Sequence, residues 1–325
     1  MRQVMQTLVM VAAIFLNGAV VAAERAPAYP TKPIRVIVPF GPGGGADLTA
    51  RLIGPRLTEK FGQPVVTDNR PAASGILGNE LLAKAAPDGH TLGIATSTLS
   101  SAPAIYKKLP YDALRDFAPI TQAFYSALVV VVHPSLPINT IKELIDHARA
   151  NPGKLNYGTS GQGGPPHIAG EMLKSMAKIQ MTPIAYKGIG PVLTALLGNE
   201  VQLTFSNTFS ARPHIQAGRM RSLAVTSLKR LSSMTELPTV SESGLPGYEA
   251  GLWFGVIAPV ATPKTIITKL NQEIVTIMRS PEVSKVIVTQ DGEVVAGTPE
   301  AFAKVMRDET VSLGKIMRAA GIVPE

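Results

Sequence analysis

Residues 34–52, IRVIVPFGPGGGADLTARL, constrain this chain more than any other stretch. Ile34, Val36, Ile37 and Val38 form a short, branched, unbroken run, the pattern of a strand buried on both faces. Gly41, Gly43, Gly44 and Gly45 then remove side chains where Ala46, Asp47, Leu48 and Thr49 open a helical pattern. A helix start carries N–H groups without intrahelical acceptors and the positive end of the dipole, so bare backbone there suits an anion. A strand feeding a helix through glycines predicts an α/β fold built around that turn.

The design returns in the second half as residues 155–172, LNYGTSGQGGPPHIAGEM. A short strand gives way to Ser160, Gly161, Gly163 and Gly164, and a helix opens at Pro165-Pro166, which supply no N–H of their own. Two readings follow: two α/β lobes whose helix starts face each other across a cleft, or two unrelated glycine loops. Strand patterns fall at 34–39, 64–68, 91–96, 128–132, 155–158, 182–186, 201–206, 222–226 and 254–258, with amphipathic stretches between them. Thr140 and Glu143 have capping-box spacing ahead of Ile141, Leu144, Ile145 and Ala148, and Asn151-Pro152-Gly153 stops that helix. Thr262-Pro263 starts another, carrying Ile266, Leu270, Ile274 and Ile277. Thr298-Pro299 starts the last, with Phe302, Val305, Met306, Leu313 and Met317 toward the core and Gly321 as its stop.

Residues 1–23 read as a cleavable export signal rather than as part of the fold. One basic residue, Arg2, precedes the apolar run LVMVAAIFLNGAVVAA, which Asn17 and Gly18 interrupt and which ends on small residues before Glu24. An uncleaved anchor is the alternative, and either way the remainder lies outside the inner membrane, in the periplasm. No second apolar run reaches spanning length, so the mature chain is expected to be soluble, and its size favours two lobes over one core. The formal charge of +8 comes from scattered Lys and Arg, which argues against nucleic acid and leans weakly toward anionic ligands. Without cysteine there is no disulfide, thiolate nucleophile or zinc–sulfur site.

Enzymatic chemistry finds few residues. Gly41-Pro42-Gly43-Gly44-Gly45-Ala46 satisfies the dinucleotide fingerprint, and Asp68 closes a later strand pattern. Their separation, however, exceeds the usual spacing of about 20 residues, and Pro39 and Pro42 crowd the turn. Ser160 lies in GTSGQG without a G-x-S-x-G elbow or an identifiable base. His90, His133, His147, His167 and His214 form no metal-binding spacing. His167 stands apart because it opens the helix after the second glycine loop, where it either donates to a ligand oxygen or bonds backbone. A single tryptophan among 5% aromatics makes sugars poor candidates.

A family resemblance rests on an ordered series of short motifs. Tyr29-Pro30-x-Lys32-Pro33-Ile34-Arg35 and Pro39-Phe40-x-Pro42-Gly43-Gly44-x-x-Asp47 open it. Asn69-Arg70-Pro71, Ala86-Pro87-Asp88-Gly89, Leu109-Pro110-Tyr111 and Asp116-Phe117-Ala118-Pro119 follow. His133-Pro134-Ser135-Leu136-Pro137, Pro152 to Tyr157, His167 to Glu171 and Tyr186-Lys187-Gly188 continue it, and Pro213-His214-Ile215, Leu237 to Val240, Gly244 to Tyr248 and Ala258-Pro259 complete it. In this order they resemble the Bug-type substrate-binding proteins, extracytoplasmic receptors of tripartite tricarboxylate transporters, over essentially the whole mature chain.

The resemblance implies an α/β, two-lobe, periplasmic-binding-protein-like (type II) fold without catalytic residues, metal or cofactor. Lobe 1 would comprise 24–126 and 228–325, and lobe 2 residues 127–227, closing on the ligand like a flytrap. It implies a monomeric receptor for a small organic acid, a di- or tricarboxylate or an aromatic carboxylate, and a membrane permease of the tripartite tricarboxylate type as partner. Carried over residue by residue, the ligand site would be Phe40, Gly41, Gly43, Gly44, Gly45, Ala46, Asp47, Ser97 and Thr98 on lobe 1. Ser160, Gly161, Gly164, His167, Ser206 and Asn207 would face them. Asp47 is better placed to cap its helix than to meet a carboxylate, since like charges repel. Where relatives carry Phe-Asp-Asn this chain has Phe205-Ser206-Asn207, a departure that disfavours a ligand amino group. Two alternatives remain open at this point: an exported α/β enzyme acting on an acid or nucleotide, and a receptor feeding a sensor kinase.

Overall fold

The computed structural model describes residues 29–319 and 324. The expected signal (1–23) and the helix stop at Gly321 lie outside the described residues. Branched β1 (Ile34–Val38) is the central strand of a parallel set, between β2 (Val65–Asn69) and β3 (Thr91–Thr96). The glycines after β1 lead into α1 (Gly45–Phe61), which ends on Gly62 in the left-handed conformation that glycine adopts without strain. α2 (Ile76–Ala83) precedes β3, and α3 (Ser97–Ile105) follows it directly.

The expected strand 128–132 is the end of a far longer one, β4 (Phe117–Val132). Pro119, buried polar Thr121 and Gln122, and register shifts at Pro119/Thr121 and Gln122/Phe124 break the alternation that would announce it. Along residues 117–127, β4 pairs antiparallel with β9 (Gly251–Pro259). From Leu128 onward it pairs instead with β7 (Leu203–Asn207) and β8 (Arg221–Val225). At the change of partner the Thr226 hydroxyl accepts from Leu128 N at 2.7 Å and donates to Leu128 O at 2.9 Å. β7 carries the parallel strands β5 (Asn156–Thr159) and β6 (Thr182–Ala185), giving the order β2-β1-β3-β9-β4-β7-β5-β6.

Helices fill the connections: α4 (Ile141–Ala150), α5 (Pro165–Ala177), α6 (Ile189–Leu197), α7 (Thr208–Gln216), α8 (Lys264–Met278), α9 (Pro281–Thr289) and α10 (Pro299–Ala319), with a short β10 (Gly292–Val294) against β4. Thr140 Oγ1 accepts from Glu143 N at 3.1 Å, and the Glu143 carboxylate accepts from Asn139 N at 2.6 Å, one residue earlier than in the usual reciprocal cap. α8 buries Ile267 rather than the expected Ile266, with Leu270, Ile274 and Ile277. Val129 and Val131 pack on one face of β4 with Leu193 and Leu196, while Leu128, Val130 and Val132 pack on the other with Tyr157 and Phe205. A separate core gathers Ile37, Leu99, Trp253, Ile257, Phe302 and Met306.

That second core contains one ionisable group out of balance. Trp253 Nε1–H donates to the Glu309 carboxylate, yet burial pushes this carboxyl up to about 7. A raised carboxyl pKa favours the protonated form in the folded chain, so stability is greatest at low pH and declines as pH rises from the ordinary glutamate value to about 7. Two to three pKa units correspond to roughly 3 kcal/mol. Glu309→Gln is therefore expected to match the parent near pH 5 and to exceed it by about 2–3 kcal/mol at pH 8, measured by urea denaturation at both pH values. A constant difference between them would show that Glu309 ionises freely.

Candidate functional site

The loops that follow β1, β5 and β7 open on one cavity of about 430 Å³. Gly43, Gly44 and Gly45 line it from the first loop, Ser160, Pro165 and Pro166 from the second, and Asn207, Phe209 and Ser210 from the third. Ile189 adds the start of α6, and Gln290 follows α9. The floor comes from alternate residues of two paired strands, Phe124, Ser126 and Leu128 of β4 with Leu252 and Phe254 of β9. Among the described lining residues none is charged.

The two glycine loops differ in what they offer. The N-cap of α1 is Gly44, which has no side chain to cap the helix, and the first intrahelical bond runs from Leu48 N to Gly44 O at 2.9 Å. Its first-turn N–H groups therefore lack intrahelical acceptors. At the start of α5 the first two positions are prolines, and the next N–H groups, of His167 and Ile168, donate to Gly164 O at 2.9 and 3.0 Å. On that side Ser160 is the hydroxyl facing the cavity. α7 supplies a third start, capped by Asn207 Oδ1, which accepts from Ser210 N at 2.8 Å.

Asp47 is buried and turned inward. Its carboxylate accepts from Arg51 Nε at 2.8 Å, Gly43 N at 3.0 Å and Asn69 Nδ2 at 3.1 Å. The Arg51 hydrogen bond holds its carboxyl below the usual range, opposed by burial and helped by Gly43 and Asn69. It locks the glycine loop and contributes no charge to the cavity lining. Phe40 is likewise drawn away: its carbonyl accepts from Asn69 Nδ2 at 3.0 Å, and its ring lies over Gly75. Gly41 and Ala46 belong to the same turn but do not line the cavity.

His167 bonds backbone, the second of the two roles open from sequence. Its Nδ1 accepts from Gly163 N at 2.9 Å, which places the proton on Nε2, 3.8 Å from Glu171. Burial lowers its pKa despite the nearby carboxylate, keeping the ring neutral as this bond requires. Gly161 accepts from Gly164 N, bracing the loop at 3.2 Å rather than lining the cavity. Ser97 and Thr98 form the first turn of α3, where the Thr96 hydroxyl accepts from Thr98 N, and neither lines the cavity. Ser206 is wholly buried and its hydroxyl donates to Asn207 O at 3.0 Å, so the departure at that position puts no polar group into the cavity. Of the expected residues, Gly43, Gly44, Gly45, Ser160 and Asn207 meet there. The aromatic floor and Phe209 are additions, of which only Phe124, Ser126 and Leu128 are legible, as strand alternation once β4 begins early enough.

Among the described residues, no cluster of three or more His, Asp or Glu side chains is arranged to hold a metal ion, and no helix is long and apolar enough to cross a membrane. The family model described as "Tripartite tricarboxylate transporter family receptor" (TctC) matches residues 49–322. Protein BugT of Bordetella pertussis is 35% identical over 326 residues, 99% of this chain and 98% of BugT. The R. palustris protein Rpa4515, solved with adipate, superposes with a TM-score of 0.80 at 35% identity, covering 91% of this chain and 100% of its own. The periplasmic binding protein BugD gives 0.76 at 31%, covering 91% and 100%. Fold and cavity together define a two-lobe, periplasmic-binding-protein-like substrate receptor. The chain belongs to the tripartite tricarboxylate transporter family receptors, of the Bug type.

Proposed function

We propose that this chain is an exported, non-catalytic, monomeric receptor that encloses a small organic acid and passes it to a tripartite tricarboxylate permease. The observation that carries the reading is the uncapped start of α1 at Gly43–Gly45, open to the cavity while the nearest carboxylate, Asp47, is neutralised behind it. A carboxylate placed there would accept from first-turn N–H groups and from the Ser160 hydroxyl, without a basic side chain. The adipate found in Rpa4515 is a ligand of this chemical class. Residues 24–126 and 228–325 would form one lobe and 127–227 the other, hinged where β4 changes partners at Leu128 and where the chain leaves β8. Residues 1–23 would direct export to the periplasm.

A thermal-shift panel on protein recovered after export of the full chain tests this. Acetate, adipate, citrate, benzoate and aspartate would be compared with glucose and spermidine. An acid at 100 times its dissociation constant adds about 2.7 kcal/mol to the stability of the folded state. Stabilisation by glucose or spermidine and by none of the acids would reject the reading, and so would chemical turnover of a bound acid.

A further inference from the structure

We infer that the ligand is a carboxylate with an aromatic body, and that Phe209 is the residue that selects it; the inference rests on the acid-receptor reading of the same cavity. Beyond the glycine loop the cavity changes character. Phe124 and Phe254 stack on each other with ring centroids 4.5 Å apart and an interplanar angle of 24°, and both rings border the cavity. Phe254 lies so near the first loop that a Cβ on Gly45 would approach its ring to 2.4 Å. An acid bound at the helix start therefore has its body against this ring.

Phe209 completes the argument. It lines the cavity, yet 65% of it is exposed. Its backbone is fixed by the neighbouring Asn207–Ser210 cap, so the ring is presented rather than left on a loose loop. A large apolar ring held over a cavity is covered when a flat apolar partner enters. Beside the rings the lining offers neutral Ser126, Ser210, Asn207 and Gln290 and, at Ile189, the uncapped start of α6, while Arg212, on the same helix as Phe209, is paired with Asp291. An aromatic body is the part of a ligand that these rings select, because it stacks on them.

The test is calorimetric titration of the exported protein and two variants with benzoate, phenylacetate, adipate and citrate. Benzoate or phenylacetate is expected to bind at least tenfold more tightly than adipate or citrate. Phe209→Ala is expected to weaken the aromatic acid about tenfold and adipate by a clearly smaller factor, and Phe209→Tyr, which keeps the ring, is expected to retain the parent affinity. Tighter binding of adipate or citrate than of either aromatic acid overturns the inference while leaving the acid-receptor reading in place. So does an aromatic affinity unmoved by Phe209→Ala. Binding of none of the four acids overturns both.

Discussion

Gly44→Val is expected to weaken acid binding at least a hundredfold while shifting the melting temperature of the ligand-free protein by no more than a few degrees. Gly44 has φ −88° and ψ 173°, an extended conformation that valine adopts readily, and a Cβ there meets nothing within 4 Å. Valine is a poorer N-cap than glycine, which costs the fold about 1 kcal/mol or less. The branched side chain, however, would occupy the space beside the first-turn N–H groups of α1, where the ligand carboxylate is proposed to lie. A hundredfold loss is about 2.7 kcal/mol, the order of the few charge-assisted bonds it would displace. Gly45→Val makes the necessary contrast. Its Cβ would fall 2.4–2.9 Å from the ring of Phe254, disturbing the aromatic floor and the fold along with the site. Titration calorimetry and thermal melting on both variants separate blocked binding from damaged structure. Parent-like affinity in Gly44→Val would remove the first glycine loop from the site.

What was legible in the sequence is what local patterns can encode. The branched run of β1, the glycines after it and their echo before α5 placed two loops that do open on one cavity, because strand burial and helix initiation are written over a few residues. The floor was hidden because β4 carries Pro119, Thr121 and Gln122 through its first half. Thr121 is satisfied by donating to Gly297 O at 2.8 Å, a partner no local pattern reveals. Ser97 and Thr98 entered the expected site only through the family resemblance, as a ligand wall. They instead begin a helix that packs on α10, with Ser100 Oγ donating to Met306 O at 3.4 Å. The inequality of the two loops was half visible in Pro165-Pro166. That His167 spends its acceptor on Gly163 depends on how the loop folds back, which spacing does not fix. Gly45 is glycine because Phe254, more than 200 residues away in sequence, lies on it.

Glu171→Ala is expected to be the most damaging single change to the fold near the site. Glu171 is only 2% exposed. It accepts from the Tyr157 hydroxyl at 2.7 Å and from Lys174 Nζ at 2.7 and 2.8 Å, one bond to each oxygen. Tyr157 is itself fully buried, edge-on to Phe205, and a Cβ on Gly170 would come within 2.2 Å of its ring. Burial, and then Glu171, push the Tyr157 hydroxyl well above the ordinary phenol value, so it stays protonated and must donate. Alanine would leave that donor without its acceptor and Lys174, only 20% exposed at its side chain, without its counter-charge. The expected loss is roughly 3–5 kcal/mol. Glu171→Gln keeps an acceptor for Tyr157 and gives up the ion pair, so its loss should be about 1–2 kcal/mol. Because His167 Nε2 faces the same carboxylate and Nδ1 holds Gly163, loosening this end of α5 should also weaken acid binding several-fold in the alanine variant. Urea denaturation would read the order alanine, glutamine, parent. An alanine variant within about 0.5 kcal/mol of the parent, the range of an ordinary surface change, would mean that Tyr157 and Lys174 find other partners and that this network does not brace the second loop.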